Sequence, residues 1–237
     1  MMTDRRVLVI TGATGGLGTA LVRRLTASDY RFAATYLVPE EARVFEETVL
    51  LGEDRLLLAR VDAADTQEVE AFMQNVAERF GAIDALCCLA GKWAGGRDVA
   101  DTDDVRFDRM IDTNLRSAFV AVRAALPYLK MAHWGRILLM GSRAAVDAPA
   151  GQAAFNVAKA GVVALAKSLA QELGGDTVTA NVILPSVIDT PATRKALPYA
   201  DYMDWPTPDE IAAVMEFMLS EASGTISGAA IPVYGKA

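Results

Sequence analysis

The segment from Ser142 to Lys159 contains a pattern for acid–base chemistry with one residue changed. The pattern is a serine, a long gap, and then Tyr-x-x-x-Lys, but the ring at the tyrosine position belongs to Phe155. A tyrosine whose pKa is near 10 moves protons near neutral pH only if that pKa is lowered, and an adjacent lysine ammonium can lower it. Phe155 has no hydroxyl to titrate. The segment therefore contains the serine and the lysine of the pattern but lacks the group that would donate the proton.

A glycine-rich turn near the start of the chain predicts a site for a dinucleotide. Residues 11–18 read Thr-Gly-Ala-Thr-Gly-Gly-Leu-Gly, between a buried strand at Val7–Ile10 and a helix at Leu17–Leu25. Glycines permit a tight turn and let the backbone approach a pyrophosphate, which then rests on the helix N-terminus. A glycine cluster alone is weak evidence, but its place between the first strand and the first helix makes an ordinary turn the less favoured interpretation.

Strands and helices alternate along the rest of the chain. Strands are predicted at 32–36, 56–61, 83–89, 136–140, 178–184 and 230–234, and helices at 40–48, 66–80, 102–130, 152–173 and 209–219. Thr66 is the predicted cap of its helix, and a break is predicted near Asp112–Asn114. Such alternation predicts an α/β fold: one Rossmann-like domain, residues 1–237, with a doubly wound parallel sheet flanked by helices on both faces. The proline-rich stretch at about 185–208 is the predicted substrate loop.

Composition narrows the classes of function. The net charge of −7 and the pI near 4.8 argue against nucleic-acid and anionic-membrane partners. The single histidine, His133, makes a histidine triad or multi-histidine metal site unfavourable, and we expect this residue at the surface. Cys87 and Cys88 are adjacent in a strand and point to opposite faces, so we expect two free, buried thiols and a cytoplasmic protein without a signal peptide or membrane span.

Motifs along nearly the whole chain resemble those of the short-chain dehydrogenase/reductase family, classical type. Each motif is modest, but their order and spacing together are specific. Besides the glycine turn and the Ser142–Lys159 segment, they are Val61-Asp62, Cys88-Leu89-Ala90-Gly91, Asn114-Leu115, Gly135-Arg136-Ile137, Asn181-Val182-Ile183-Leu184-Pro185 and Asp189-Thr190-Pro191. Cys88-Leu89 and Ser186 depart from the family's usual asparagines and glycine, where backbone groups can still serve.

The resemblance implies an NAD(P)-dependent oxidoreductase acting on a small carbonyl or alcohol. In such enzymes the tyrosine moves the proton, the lysine lowers its pKa and holds the nicotinamide ribose, the serine orients the substrate, and the asparagine holds a relay water. The implied catalytic positions are Asn114, Ser142, Phe155 (in place of tyrosine) and Lys159. The implied cofactor-binding positions are Gly12, Thr14, Gly16, Leu17, Gly18, Asp62, Ala90, Gly91, Lys159, Pro185, Val187 and Thr190.

Phe155 leaves three interpretations open. The chain is an oxidoreductase impaired in proton transfer, an inactive dinucleotide-binding or regulatory protein, or an active reductase carrying an engineered Tyr-to-Phe change. Tyr199 or Tyr202 in the substrate loop is an alternative proton source that nothing in the sequence places near the reaction. The codon at position 155 in the source genome separates the third interpretation from the others.

The sequence does not decide between NAD and NADP. No acid ends the second strand to bind a ribose 2′-hydroxyl, and residues 12–18 contain no lysine or arginine for a 2′-phosphate. Arg43 is a distant candidate for that phosphate. An apolar pocket of Trp93, Val146, Phe155 and Val187 is predicted for the substrate, and the alanine-rich helix at 152–173 suits a homodimer or homotetramer, as the resemblance also implies.

Overall fold

A single parallel sheet organises the chain, which a computed structural model describes for residues 5–236. Its seven strands follow the order β3-β2-β1-β4-β5-β6-β7. They are β1 (Arg6–Thr11), β2 (Tyr30–Tyr36), β3 (Leu56–Arg60), β4 (Ala85–Cys88), β5 (Gly135–Met140), β6 (Val178–Pro185) and β7 (Ala230–Val233). The predicted Rossmann-like doubly wound sheet is confirmed.

Helices cover both faces of this sheet. They are α1 (Gly16–Leu25), α2 (Pro39–Val49), α3 (Thr66–Phe80), α4 (Asp104–Ile111), α5 (Ser117–Met131), α6 (Ala144–Asp147), α7 (Ala153–Glu172), α8 (Pro191–Ala196) and α9 (Pro208–Met218). Short 3₁₀ turns lie at Val99–Asp101 and Glu221–Ser223. Buried side chains of α3, α5 and α7 form the core on one face, and those of α1, α2 and α9 form the core on the other.

Side-chain alternation along the strands explains the two cores. Val7 and Val9 of β1 pack on the α3–α5–α7 face, whereas Leu8 and Ile10 pack on the opposite face. Strands buried on both faces need continuous apolar runs, which is why the sequence pattern located them. The same alternation places Cys87 and Cys88 on opposite faces as free thiols, and burial raises the pKa of Cys88 to about 12. His133 is exposed, as predicted.

The structure corrects several predicted boundaries. Asp65, not Thr66, is the cap of α3, because its carboxylate accepts hydrogen bonds from the backbone N–H groups of Gln67 and Glu68. The helical region over 102–130 is broken near Asp112–Asn114, as predicted: a π-helical turn at Asp112–Arg116 separates α4 from α5. The predicted substrate loop contains helix α8, which the prolines around it had obscured.

The order of the strands determines where a ligand can bind. β1 pairs with β2 on one side and with β4 on the other, so the chain crosses over in opposite directions from β1. In open α/β sheets such a switch point opens a crevice at the carboxyl ends of the strands. α7 is long and apolar enough to cross a membrane by length and composition alone, but here it packs against β6 and α4.

Candidate active site

A cleft of about 860 Å³ lies at the carboxyl edge of the sheet, at this switch point. It brings together most of the positions that the sequence predicted. Those lining it are Gly12, Gly16, Leu17, Gly18, Gly91, Asn114, Ser142, Phe155, Lys159, Pro185, Val187 and Thr190. Thr14, Asp62 and Ala90 lie outside its lining, and their proposed roles toward a cofactor stay predictions.

The glycine turn forms the floor of the cleft, and two of its glycines have no room for a side chain. Gly12 has a φ of +66°, and a Cβ there would lie 2.8 Å from the backbone of Ala90. At Gly18 a Cβ would overlap the carbonyl oxygen of Ala13. α1 starts after Gly15 with no side-chain cap and no acid in its first turn. A pyrophosphate fits these residues, since uncapped N–H groups and the helix dipole favour an anion.

Asn114 holds the loop after β4 in place. This side chain is 1% exposed and lies in the π-helical turn. Its Oδ1 accepts a hydrogen bond from the Lys92 backbone N–H at 3.1 Å, and its Nδ2 donates to the Lys92 carbonyl at 2.9 Å. A π-helical turn is often found at functional sites because it re-aims one side chain of a helix. The two bonds tie the fourth long helical region to the rim of the cleft.

Lys159 lies in the interior of the cleft wall. Its side chain is 5% exposed, and its Nζ donates to the Met140 carbonyl oxygen at 2.8 Å. Burial disfavours the charged form and lowers the pKa of Lys159 to about 8. The Nζ also lies 5.8 Å from the centre of the Phe155 ring. Lys159 and Phe155 therefore face the same part of the cleft from adjacent turns of α7.

The lowered pKa of Lys159 predicts a pH-dependent stability. Below about pH 8 the amine is protonated in both the folded and the unfolded chain, whereas above that pH the folded chain loses its proton first. The free energy of unfolding should therefore rise with pH between about 8 and 10.5, and Lys159→Met should abolish this rise. Denaturant unfolding measures this effect as the free energy of unfolding of the unaltered chain minus that of Lys159→Met. That difference should increase by about 2 kcal/mol from about pH 7 to about pH 9.5.

Exposed Lys167 on the same helix provides the matched control, as Lys167→Met. A difference between the unaltered chain and Lys159→Met that stays constant over this pH range would contradict the lowered pKa.

Ser142 and Phe155 also line the cleft, and the side chain at position 155, where the sequence pattern expects a tyrosine, has no hydroxyl. Ser142 follows β5, and its Oγ accepts a hydrogen bond from the Ala144 backbone N–H at 3.1 Å. The Phe155 ring is 7% exposed and belongs to a small buried apolar cluster. Over residues 5–236, neither a tyrosine nor a histidine lines the cleft. Tyr199 is fully exposed, and the Tyr202 ring lies over the Arg194 guanidinium at 4.0 Å.

The segment after β6 (residues 186–205), which we call the lid, lies beside the glycine turn and lines the cleft. Thr190 caps α8 by accepting a hydrogen bond from the Thr193 backbone N–H at 3.1 Å. Its methyl carbon would lie 3.2 Å from a Cβ placed on Gly16. Arg194 pairs with Asp189 through two hydrogen bonds and so braces the base of the lid. Lid residues that line the cleft are Ala192, Thr193, Ala196, Leu197 and Trp205.

The family of the chain follows from a comparison with known proteins. A family model described as short chain dehydrogenase matches residues 6–199. The chain belongs to this family. Its relatives include the 3-oxoacyl-(acyl-carrier-protein) reductase MabA of Mycobacterium tuberculosis, 31% identical over 97% of this chain and 92% of that protein. The 2-(R)-hydroxypropyl-CoM dehydrogenase of Xanthobacter autotrophicus is also 31% identical, over 97% of both chains.

Solved structures of the short-chain dehydrogenase family have the same fold. A short-chain dehydrogenase/reductase of Brucella melitensis superimposes with a TM-score of 0.89 and 30% identity, over 99% of this chain and 98% of its own. Levodione reductase gives a TM-score of 0.89 at 25% identity, over 100% and 98%. The chain is thus a short-chain oxidoreductase by descent, and its cleft lies at the edge of the sheet where this fold binds ligands.

Several cleft residues were absent from the sequence-based prediction. Gln152 accepts a hydrogen bond from the Trp93 indole at 2.7 Å, which joins the β4 loop to the start of α7.

Helix α8 has a sequence signal, a threonine followed by proline, that could have revealed its start. One predicted lining residue is wrong: Val146 is 64% exposed and lies outside the cleft, because α6 turns its side chain to solvent.

The described residues contain no cluster of histidine, cysteine, aspartate or glutamate suited to a metal ion. Among residues 5–236, Lys159 is the one titratable group in the interior of the cleft. Lys92, Arg143 and Asp147 also line the cleft, but at its more exposed parts.

Proposed function

We propose that the cleft binds a nicotinamide dinucleotide and that the protein interconverts a small carbonyl compound and its alcohol at a rate limited by proton transfer. One observation carries the proposal: Phe155 lines the cleft together with Asn114, Ser142 and Lys159. Three of the four polar positions expected from the family are present. The fourth has the correct ring without its hydroxyl.

Different residues of this chain would bind different parts of the cofactor. The glycine turn would hold the pyrophosphate at the start of α1, and Lys159 would hold ribose hydroxyls. The remaining positions proposed to hold it are Thr14, Asp62, Ala90, Gly91, Pro185, Val187 and Thr190. When bound, the nicotinamide supplies or accepts the hydride.

At the proton step this chain would lack a side chain that donates the proton. Ser142 would orient the substrate oxygen, while Asn114 would fix the loop that borders the cofactor. Reduction of a carbonyl leaves negative charge on that oxygen, and a general acid nearby neutralises it. Phe155 has no proton to give, so the proton would come from water in the cleft.

Substrate class is supported by the relatives and by the cleft wall. The names of three relatives contain a 3-oxoacyl, a 2-(R)-hydroxypropyl or a D-beta-hydroxybutyrate group: MabA, the hydroxypropyl-CoM dehydrogenase, and a D-beta-hydroxybutyrate dehydrogenase of Rhizobium meliloti. Each of these groups has a ketone or a secondary alcohol. Trp93, Val187 and Trp205 make the wall largely apolar. We therefore propose a small 3-oxo or secondary hydroxy compound with an apolar portion.

A regulatory protein is the second candidate, since Phe155 suits a chain that binds a dinucleotide without turning it over. Calorimetric titration with NAD⁺, NADH, NADP⁺ and NADPH tests the part that both candidates share. Saturable binding of at least one nucleotide supports them, and absence of any binding overturns both. Turnover of a panel of 3-oxo and secondary hydroxy compounds then separates the enzyme from the regulator.

We further propose a cytoplasmic homodimer or homotetramer joined through α5 and α7. Phe119 on α5 is 48% exposed and Val157 on α7 is 52% exposed, and a partner subunit would cover these two apolar side chains. Val157→Glu should then shift the protein to monomers in sedimentation velocity. Val44→Glu, at an equally exposed position on α2, should not. Monomers of the unaltered chain would contradict the proposal.

A further inference from the structure

We propose that Glu41 makes the cleft selective for NAD(H) over NADP(H). Its carboxylate would accept a hydrogen bond from the 2′-hydroxyl of the adenosine ribose and would repel a phosphate at that position. The inference rests on the proposed dinucleotide site and specifies which cofactor that site takes.

Glu41 reaches the glycine turn from a different element. It lies in the first turn of α2, and its Oε2 accepts a hydrogen bond from the Thr14 hydroxyl at 3.3 Å. Thr14 belongs to the turn that would hold the pyrophosphate. In dinucleotide-binding folds, an acid about 20 residues beyond the glycine turn bonds the ribose 2′-hydroxyl. β2 ends at Tyr36 without such an acid, and Glu41 provides the carboxylate from the next helix instead.

Neither Arg43 nor the glycine turn offers an unpaired cation that would offset this carboxylate. Arg43, the candidate for a 2′-phosphate, is already paired on both sides: its guanidinium lies 2.8 Å from Glu40 and 2.7 Å from Glu47. The turn itself contains neither lysine nor arginine at positions 12–18. After β2, the exposed residues Leu37 and Val38 are apolar and give a phosphate no donor side chain.

One further cation lies at this edge of the sheet and has to be tested. Arg60, the last residue of β3, pairs in register with Tyr36 at the end of β2. Its side chain is exposed. If the Arg60 guanidinium reached the 2′-phosphate of NADP(H), the cleft would favour that cofactor, since a guanidinium binds phosphate through paired hydrogen bonds. The contact between Glu41 and Thr14 places the acid at the turn, and it is on this contact that the preference for NAD(H) rests.

Equilibrium titration followed by nucleotide fluorescence tests the inference without requiring turnover. The unaltered chain should bind NADH more tightly than NADPH by about tenfold or more, as expected for one carboxylate facing the added phosphate. Glu41→Arg should reverse the order, weakening NADH and strengthening NADPH. Arg60→Ala should leave the preference of the unaltered chain unchanged.

Glu46→Arg is the matched control, since it makes the same change of charge at an exposed position on α2, more than one turn further along. Reversal by Glu41→Arg but not by Glu46→Arg supports a local contact. Equal affinities, tighter NADPH, or equal effects of the two arginine variants would overturn the inference while leaving the dinucleotide site in place. Absence of binding by all four nucleotides would overturn the proposed function itself.

Discussion

Phe155→Tyr should raise the turnover of a 3-oxo or secondary hydroxy substrate by about 10²–10⁴, the usual contribution of a general acid or base. This corresponds to about 3–5 kcal/mol of transition-state stabilisation. The gain is expected because the surroundings of a tyrosine are already present. Lys159 lies on the next turn of α7 with its Nζ 5.8 Å from the ring centre, and Ser142 lines the same cleft. An ammonium this close would lower the pKa of the new hydroxyl.

The matched control adds a hydroxyl to a ring elsewhere. Phe217→Tyr on α9 alters a half-exposed ring outside the cleft and should leave turnover unchanged. Steady-state nicotinamide absorbance with a panel of carbonyl compounds measures both variants. The missing hydroxyl does not limit the reaction if Phe155→Tyr and the unaltered chain both bind cofactor and turn over substrate at the same rate.

Gly12→Ala should cause a large loss of affinity at the proposed cofactor site. A side chain at φ +66° strains the backbone, and its Cβ would lie 2.8 Å from the Cα and N atoms of Ala90, which cannot move without shifting the loop after β4. We expect the free energy of unfolding to fall by about 1–3 kcal/mol. Nucleotide affinity should fall by about tenfold or more, because the turn would have to open.

Gly175→Ala serves as the comparison, since a Cβ there meets no atom within 4 Å. Denaturant unfolding and nucleotide titration together measure both variants. If Gly12→Ala kept the stability and the nucleotide affinity of the unaltered chain, the close packing of the turn against Ala90 would not matter for the site.

Much of the fold could be predicted because its signals are local. The apolar run of β1 and the glycines after it lie within a few neighbouring residues, so strand, turn and helix can each be recognised alone. Alternation along the chain then implies a parallel sheet, since two parallel strands need a crossover between them. Most site residues followed from the same order of motifs, and the cleft brings them together.

Features that depend on contacts between distant segments could not be predicted. The bond from Thr14 to Glu41 joins the glycine turn to α2, and neither residue alone indicates it. Val146 was placed in the cleft from its position after β5, but the short turn of α6 reverses its side chain. The π-helical turn at Asn114 changes which face of a helix a side chain occupies, and hydrophobic spacing does not encode that shift.

The central claim is that the proposed cofactor site is intact while the side chain that would donate the proton is missing. Fluorescence titration of NADH into the unaltered chain and into Phe155→Tyr tests it most directly. We predict saturable binding at one site per chain, with dissociation constants for the two proteins that agree within about threefold. Phe155 lines the wall of the cleft, and its ring donates no hydrogen bond to a cofactor. Binding by Phe155→Tyr alone, or by neither protein, would contradict the account.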